Sequence, residues 1–109
     1  MVTARGDIVW VGFGSPRGFE PAKVRPAVVV QEDWLLATNV DNVQVVPLTS
    51  HVGLQAFPGN VLIPAEASGL ERDSVAVVSQ VGPRNREFLE PHPAGHVPAH
   101  LLVEIGAGI

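Results

Sequence analysis

Short apolar runs, separated by polar segments rich in glycine and proline, set the pattern of this chain. Residues 7–13 are rich in β-branched and aromatic side chains and predict a first strand. Residues 26–31 form a continuous apolar run, which is typical of a strand buried on both faces, and residues 43–48 predict a third strand. Shorter runs at 60–63 and 74–81 predict a fourth and a fifth strand. Five short strands joined by turns indicate a small, twisted or barrel-like antiparallel sheet.

The segments between these runs are less regular. Residues 32–42 are ambiguous, because Trp34 and the two leucines after it could form a helical turn. Residues 51–59 contain two glycines, a proline and no hydrophobic period, and they predict a loop. Residues 66–73 are predicted to form a turn. Since proline lacks an N–H, Pro26 is expected at the first residue of its strand.

The pattern changes after Gly82. Prolines at positions 83, 91, 93 and 98 make extended structure there unexpected. Pro98 suits the first turn of a helix and Gly106 suits its end. Leu101, Leu102 and Ile105 would share one face of that helix, which we expect to pack on the sheet.

The composition fits one domain spanning residues 1–109. Of the 109 residues, 46% are hydrophobic and 17% charged, which excludes a disordered chain. The absence of cysteine excludes both a disulfide framework and a thiolate metal site. No apolar stretch approaches the length of a membrane span and no signal segment opens the chain, so a cytoplasmic protein without a membrane partner is expected.

Charge is unevenly distributed along the chain. The net charge of −4 has the wrong sign for bulk nucleic-acid binding. Through residue 31, however, four cations oppose two acids for a net +2, whereas the remainder holds three arginines and nine acids for a net −6. This split allows a local anion-binding patch in the N-terminal third, although a mixed solvated surface explains it equally well.

Glu20, Lys23 and Arg25 precede the second strand and could handle a phosphodiester. The planar fork of Arg25 matches phosphate oxygens, and Glu20 could accept a proton. Cleavage of RNA by its own 2′-hydroxyl needs a base, an acid and cations that stabilise the developing charge. A surface ion pair at the entry of a strand is the alternative interpretation.

Hydroxyls and histidines supply further candidates. Thr49 and Ser50 end the third strand, where they could bond a phosphate oxygen or form an ordinary turn. His51 follows them and could be a general acid or a solvated loop residue. Three other histidines recur every fourth residue from His92, but the intervening prolines oppose a helix that would gather them. We therefore predict neither a metal site nor a cofactor. Trp10, which alternates with Ile8, is expected to face the core or a subunit interface.

Taken in order, these segments resemble the MazF/PemK family of toxin endoribonucleases. The resemblance spans roughly residues 5–81, and the segments that carry it are RGDIVWV from Arg5, GFE from Gly18, VRPAVVV from Val24, VPLTS from Val46, GLERDSVA from Gly69 and SQV from Ser79.

The family resemblance implies a mainly β fold, a small SH3-like twisted barrel of the MazF/CcdB type with a short C-terminal helix, assembled as a homodimer. It also implies the toxin of a type II toxin–antitoxin system, which cleaves single-stranded mRNA at short motifs without a metal. A cognate antitoxin with an acidic, flexible tail would be its partner.

The resemblance also assigns roles to residues. It makes Arg25 and Thr49 the catalytic pair and Glu20 a supporting residue of the active site. The loops at residues 15–24 and 50–59 would bind and read RNA, and their candidate side chains are Arg17, Lys23, Ser50, His51 and Gln55.

Some positions depart from the family pattern. Gly12 stands where an aspartate is frequent, Phe19 replaces a small polar residue, and the chain after Val81 lacks the usual longer helix. Two other functions stay open on the same fold. One is a CcdB-like poison of DNA gyrase that is not a nuclease, and the other is an RNA-binding module that does not cleave.

Overall fold

The fold is a curled antiparallel sheet that carries one longer helix. The computed structural model describes residues 4–13, 23–38 and 40–109. Its strands are β1 (Asp7–Phe13), β2 (Lys23–Val29), β3 (Asn42–Thr49), β4 (Val61–Ile63), β5 (Ser74–Ala76), β6 (Gly82–Asn85) and β7 (Gly95–His96). Its helices are α1 (Asp33–Leu36), α2 (Ala65–Ser68) and α3 (Ala99–Gly108), and 3₁₀ turns occupy Val52–Ala56, Val78–Gln80 and Arg86–Phe88.

Strand β3 organises the sheet. The strands follow the order β4-β5-β3-β2-β1-β7, and β6 pairs with the first half of β3. The second half of β3 pairs with β5, so the sheet bends around this strand. The predicted mainly β fold with a terminal helix is confirmed.

Both faces of the central strands are buried, which explains their continuous apolar runs. Alternate residues point to opposite faces of a strand. On one face, Val28, Val46 and Leu48 join a core that α3 covers with Leu101 and Ile105. The opposite face holds a second, smaller core, whose members are Val9, Val11, Ala27, Val29, Leu36, Val43, Val45 and Leu89. The interpretation of the run from residue 26 as a strand buried on both faces is therefore confirmed up to Val29, where β2 ends, and the predicted strand at residues 43–48 is present as β3.

The predicted helices are present with small shifts. Helix α3 follows Pro98 and buries Leu101 and Ile105, whereas Leu102 is half-buried. It continues two residues beyond Gly106. Trp34 and the leucines after it form α1, so the helical alternative for this segment is the right one. Within the three described ranges, no helix is long and apolar enough to cross a membrane.

The position expected for Pro26 is wrong. Strand β2 begins at Lys23, and Pro26 lies opposite Trp10 in the middle of the β1/β2 ladder. The carbonyl of Trp10 accepts a hydrogen bond from the Glu90 N–H at 2.9 Å, on the side of β1 away from β2. Trp10 and Pro26 therefore form a non-hydrogen-bonded pair, which requires no N–H from the proline.

Extended structure after Gly82 was not expected, yet β6 and β7 lie there. Pro83 pairs with Gln44 of β3, whose carbonyl accepts from the Val30 N–H on the opposite side. The missing N–H of Pro83 thus points away from β3, as is usual for proline in an outer strand. Three further predictions were incomplete. The loop predicted at residues 51–59 contains a 3₁₀ helix, and the turn predicted at 66–73 includes most of α2. The strand predicted at 74–81 ends at Ala76.

Candidate active site

A cleft opens where β2 and β3 separate. The two strands are paired from Val29↔Val45 to Ala27↔Pro47. Two residues further in the same register, Arg25 would stand opposite Thr49. The β2/β3 ladder ends before this pair, while Thr49 stays paired with Val75 of β5 on the other side of β3. The resulting cleft has a volume of about 720 Å³.

The predicted catalytic pair meets in this cleft. Its lining residues are Trp10, Arg25, Pro26, Leu48, Thr49, Ser50, Gly69, Leu70, Glu71, Arg72, Ser74 and Ala94. Arg25 is exposed, and its backbone is held opposite the fully buried Val11. Thr49 is half-buried at the end of β3. Arg25 and Thr49 therefore line one open cleft, and both belong to strands of the sheet.

The Thr49 hydroxyl oxygen already accepts one hydrogen bond. The His51 N–H donates to Thr49 Oγ1 at 3.2 Å, which closes a short turn after β3. The hydroxyl proton stays available as a donor, because this bond uses only an oxygen lone pair. Ser50 also lines the cleft, and His51 is exposed next to it. The sequence left open whether this hydroxyl forms a turn or donates to a phosphate oxygen. The structure is compatible with both roles at once.

Other predicted side chains lie elsewhere or outside the description. Arg17 and Glu20 fall outside the described residues. The backbone of Lys23 pairs with Phe13 in β2, but its side chain is not described. Gln55 lines a second cleft of about 550 Å³, which lies between the Val52–Ala56 turn, β4, α2 and α3. The structure thus brings together Arg25, Thr49 and Ser50, and it places Gln55 in a different depression.

Several cleft residues were not among the predicted site residues. Arg72 adds a second cation and Glu71 a carboxylate, both from the segment between α2 and β5. Two hydrogen bonds hold this segment: the Leu70 N–H donates to Ser68 Oγ at 3.0 Å, and the Ala65 N–H donates to Asp73 Oδ1 at 2.8 Å. The basic and acidic residues around position 72 were a signal in the sequence, but only tertiary structure shows that they face β2.

Trp10 is the other unexpected member. It is 42% exposed and lines the cleft, so of the two expected positions, the core and a subunit interface, the core is wrong. Ile8, on the same face of β1, is fully buried. The face changes from core to cleft between these two residues, because the partner strands separate beyond Ala27.

Histidine and carboxylate side chains do not gather around a common point in the described ranges. These ranges contain no group of three or more residues that could hold a metal ion. His96 instead pairs with Asp7, with 3.1 Å between Nδ1 and Oδ1. Among the described residues, the cleft brings together the cations Arg25 and Arg72, the carboxylate of Glu71, the indole of Trp10 and several hydroxyl-bearing residues.

Fold and cleft together define a class: a small curled β-sheet protein with an open cleft that two arginines line. Comparison with known proteins is more specific. The family model of the PemK-like, MazF-like toxin of type II toxin–antitoxin systems matches residues 4–109. The chain belongs to this family, as its sequence motifs predicted.

Relatives and solved structures agree with this assignment. The chain is 39% identical over 109 residues to endoribonuclease MazF6 of Mycobacterium tuberculosis, covering 100% of this chain and 95% of the relative. It is 35% identical over 105 residues to endoribonuclease MazF9 of the same organism, with 93% and 87% covered. Among solved structures, the MazE–MazF crystal structure (Form-II) from Deinococcus radiodurans matches with a TM-score of 0.80 and 25% identity, covering 98% of this chain and 91% of that one.

Proposed function

We propose that this protein is the toxin of a type II toxin–antitoxin pair and acts as an endoribonuclease on single-stranded mRNA at short sequence motifs. Family membership supports the toxin role, and relatives that are named endoribonucleases over nearly their full length support the activity. The observation that carries the mechanism is the meeting of Arg25 and Thr49 in one cleft.

The proposed reaction is metal-independent. A base removes the proton of the substrate's 2′-hydroxyl, and the 2′-oxygen attacks the adjacent phosphorus. The bond from phosphorus to the 5′-oxygen breaks as an acid gives a proton to that oxygen. The products are a 2′,3′-cyclic phosphate and a 5′-hydroxyl. Arg25 donates to the phosphorane oxygens, whose negative charge is greatest in the transition state, and takes part in proton transfer. The Thr49 hydroxyl donates a hydrogen bond to a phosphate oxygen and adds no charge.

The remaining roles complete the proposal. Glu20 would orient or accept a proton at the active site, and Arg17, Lys23, Ser50, His51 and Gln55 would contact the RNA. The protein would act as a homodimer in the cytoplasm, under the control of a cognate antitoxin. The MazE–MazF complex from Deinococcus radiodurans supports the antitoxin partner, because its MazF chain shares this fold over most of its length.

One experiment tests the mechanism. Long RNA of mixed sequence is incubated with the protein in EDTA, and the cut ends are mapped and tested for a 2′,3′-cyclic phosphate. We expect Arg25→Ala to lower the cleavage rate by at least about 100-fold, in the range found when a donor to a developing oxyanion is removed. Folding should survive, because Arg25 is exposed.

Arg84→Ala is the matched control. It removes the same charge from β6, outside the residues that line the cleft, and should cut RNA at close to the parental rate. Parental cleavage by Arg25→Ala would refute the assignment of this residue. RNA binding without any cut product would indicate the non-cleaving module, and growth arrest with DNA breaks but intact RNA would indicate the gyrase poison.

A further inference from the structure

The aromatic ring of Trp10 lies beside the proposed phosphodiester site. It belongs to the same cleft lining as Arg25 and Thr49, and the indole is 42% exposed. Among the described residues that line this cleft, it is the only aromatic one. The ring thus offers a ligand of the cleft an exposed aromatic surface beside the cations Arg25 and Arg72.

The backbone under this ring is firmly held. The Trp10 carbonyl accepts from the Glu90 N–H at 2.9 Å, and the Ile8 carbonyl accepts from the Ala94 N–H at 2.7 Å. The neighbouring residues Val9 and Val11 are fully buried on the opposite face. The indole therefore projects from a strand that is paired on both sides, so little backbone entropy would be lost when a ligand covers it.

Among the described residues, the surface next to Trp10 is open. Gly12, the next residue on the same face of β1, has nothing within 4 Å of the position where a Cβ would lie. Opposite it stands Val24, 57% exposed, and opposite Trp10 stands Pro26. These four residues form an apolar shelf that continues outwards from the cleft. A planar group entering the cleft could lie on this shelf, because Gly12 has no side chain that it would have to displace.

We propose that Trp10 stacks on a nucleobase of the RNA and so positions the strand for cleavage between Arg25 and Thr49. Proteins that bind single strands combine cations that follow the backbone with aromatic rings on which bases stack. Arg25 and Arg72 supply the cations of this cleft, and Trp10 supplies the ring. This inference rests on the proposed function, since it assumes that the anionic ligand of the cleft is RNA.

Fluorescence gives the direct test. The chain has two tryptophans, and Trp34 is 69% exposed on α1, outside the cleft lining. Trp34→Phe leaves Trp10 as the only tryptophan, whereas Trp10→Phe leaves only Trp34. Both proteins are titrated with a pool of mixed-sequence RNA dodecamers, 2′-O-methylated so that no 2′-hydroxyl can attack. We expect saturable quenching in Trp34→Phe and none in Trp10→Phe.

Affinity and kinetics give a second test. Trp10→Leu keeps an apolar side chain but removes the π face, whereas Trp10→Phe keeps a ring. One lost base stack predicts about 5- to 150-fold weaker binding of the dodecamers by Trp10→Leu. We expect Trp10→Phe to retain most of the affinity. Cleavage by Trp10→Leu should fall mainly through a higher KM, because the chemical groups Arg25 and Thr49 are intact.

The outcomes separate the two proposals. Absence of quenching in Trp34→Phe, or parental affinity in Trp10→Leu, overturns the stacking role even if the parent protein cuts RNA. Trp10 fluorescence that changes on protein dilution but not with RNA also overturns it, since a second copy of the chain then covers the ring. Saturable quenching by RNA in a protein that never cuts supports stacking and refutes the nuclease instead. The titration of Trp34→Phe needs no substitution at Trp10, so a poorly folded Trp10→Leu does not weaken it.

Discussion

Gly95 is the glycine at which an added methyl group should cost the most stability. It lies in β7 opposite Ile8, where the strand passes over the end of α2. A Cβ placed on Gly95 would overlap the carbonyl oxygen of Ser68 and stand 3.3 Å from its carbonyl carbon. Ser68 is 3% exposed, and the clashing atoms belong to its backbone. They cannot rotate aside as a side chain would, so β7 and α2 would have to separate.

The expected cost of Gly95→Ala follows from this overlap. Inserting a methyl group into a closely packed site costs about 1–3 kcal/mol of unfolding free energy. For a domain of this size, each kcal/mol lowers the Tm by about 4–8 °C, so the Tm should fall by about 4–24 °C. The loss should reach the cleft as well, because Ser68 Oγ accepts from the N–H of Leu70, a cleft residue.

Gly82→Ala is the matched control. Gly82 is also in a strand, and a Cβ there would meet nothing within 4 Å. The added methyl should leave stability unchanged or raise it by about 0.4–1 kcal/mol, through the smaller entropy of the unfolded chain. Thermal unfolding followed by circular dichroism compares the two variants with the parent. If Gly95→Ala melts as high as Gly82→Ala, the close approach between β7 and α2 is wrong.

Two further comparisons probe how α3 and the 3₁₀ turn at Arg86–Phe88 are attached to the sheet. Ile105→Ala, at a fully buried position of α3, should cost about 2–5 kcal/mol, whereas Val103→Ala, at a position 71% exposed, should stay within about 0.5 kcal/mol. Equal urea midpoints would show that α3 does not cover the core as described. Arg86→Leu removes donors to the carbonyls of Val40 at 3.1 Å and Leu36 at 3.2 Å, and should cost about 1–3 kcal/mol. An unchanged urea midpoint would mean that water replaces both bonds.

The elements that local pattern predicted well are those whose burial is nearly complete. Strand β3 and the buried part of β2 have apolar side chains on both faces, and their short, valine-rich runs favour a strand over a buried helix. The elements that pattern missed depend on one neighbour. Strand β6 carries Pro83 and Arg84, and only its pairing with β3 makes it extended. Strand β7 contains two residues, too few for a hydrophobic period to appear.

The candidate site, too, could be predicted only in part from the sequence. Arg25 and Thr49 could be named from the motifs around them, but their meeting depends on the register of β2 and β3 and on where the ladder between these strands ends. Trp10 illustrates how the pairing of the strands decides whether a side chain is buried or exposed. Its alternation with Ile8 correctly places both on one face, and a fully paired sheet would have buried both. Because the ladder between β2 and β3 ends at Ala27, the core ends there too, and the indole is left at the edge of an open cleft. The same loss of pairing that leaves Trp10 partly in water opens the space in which a phosphodiester can reach Arg25 and Thr49.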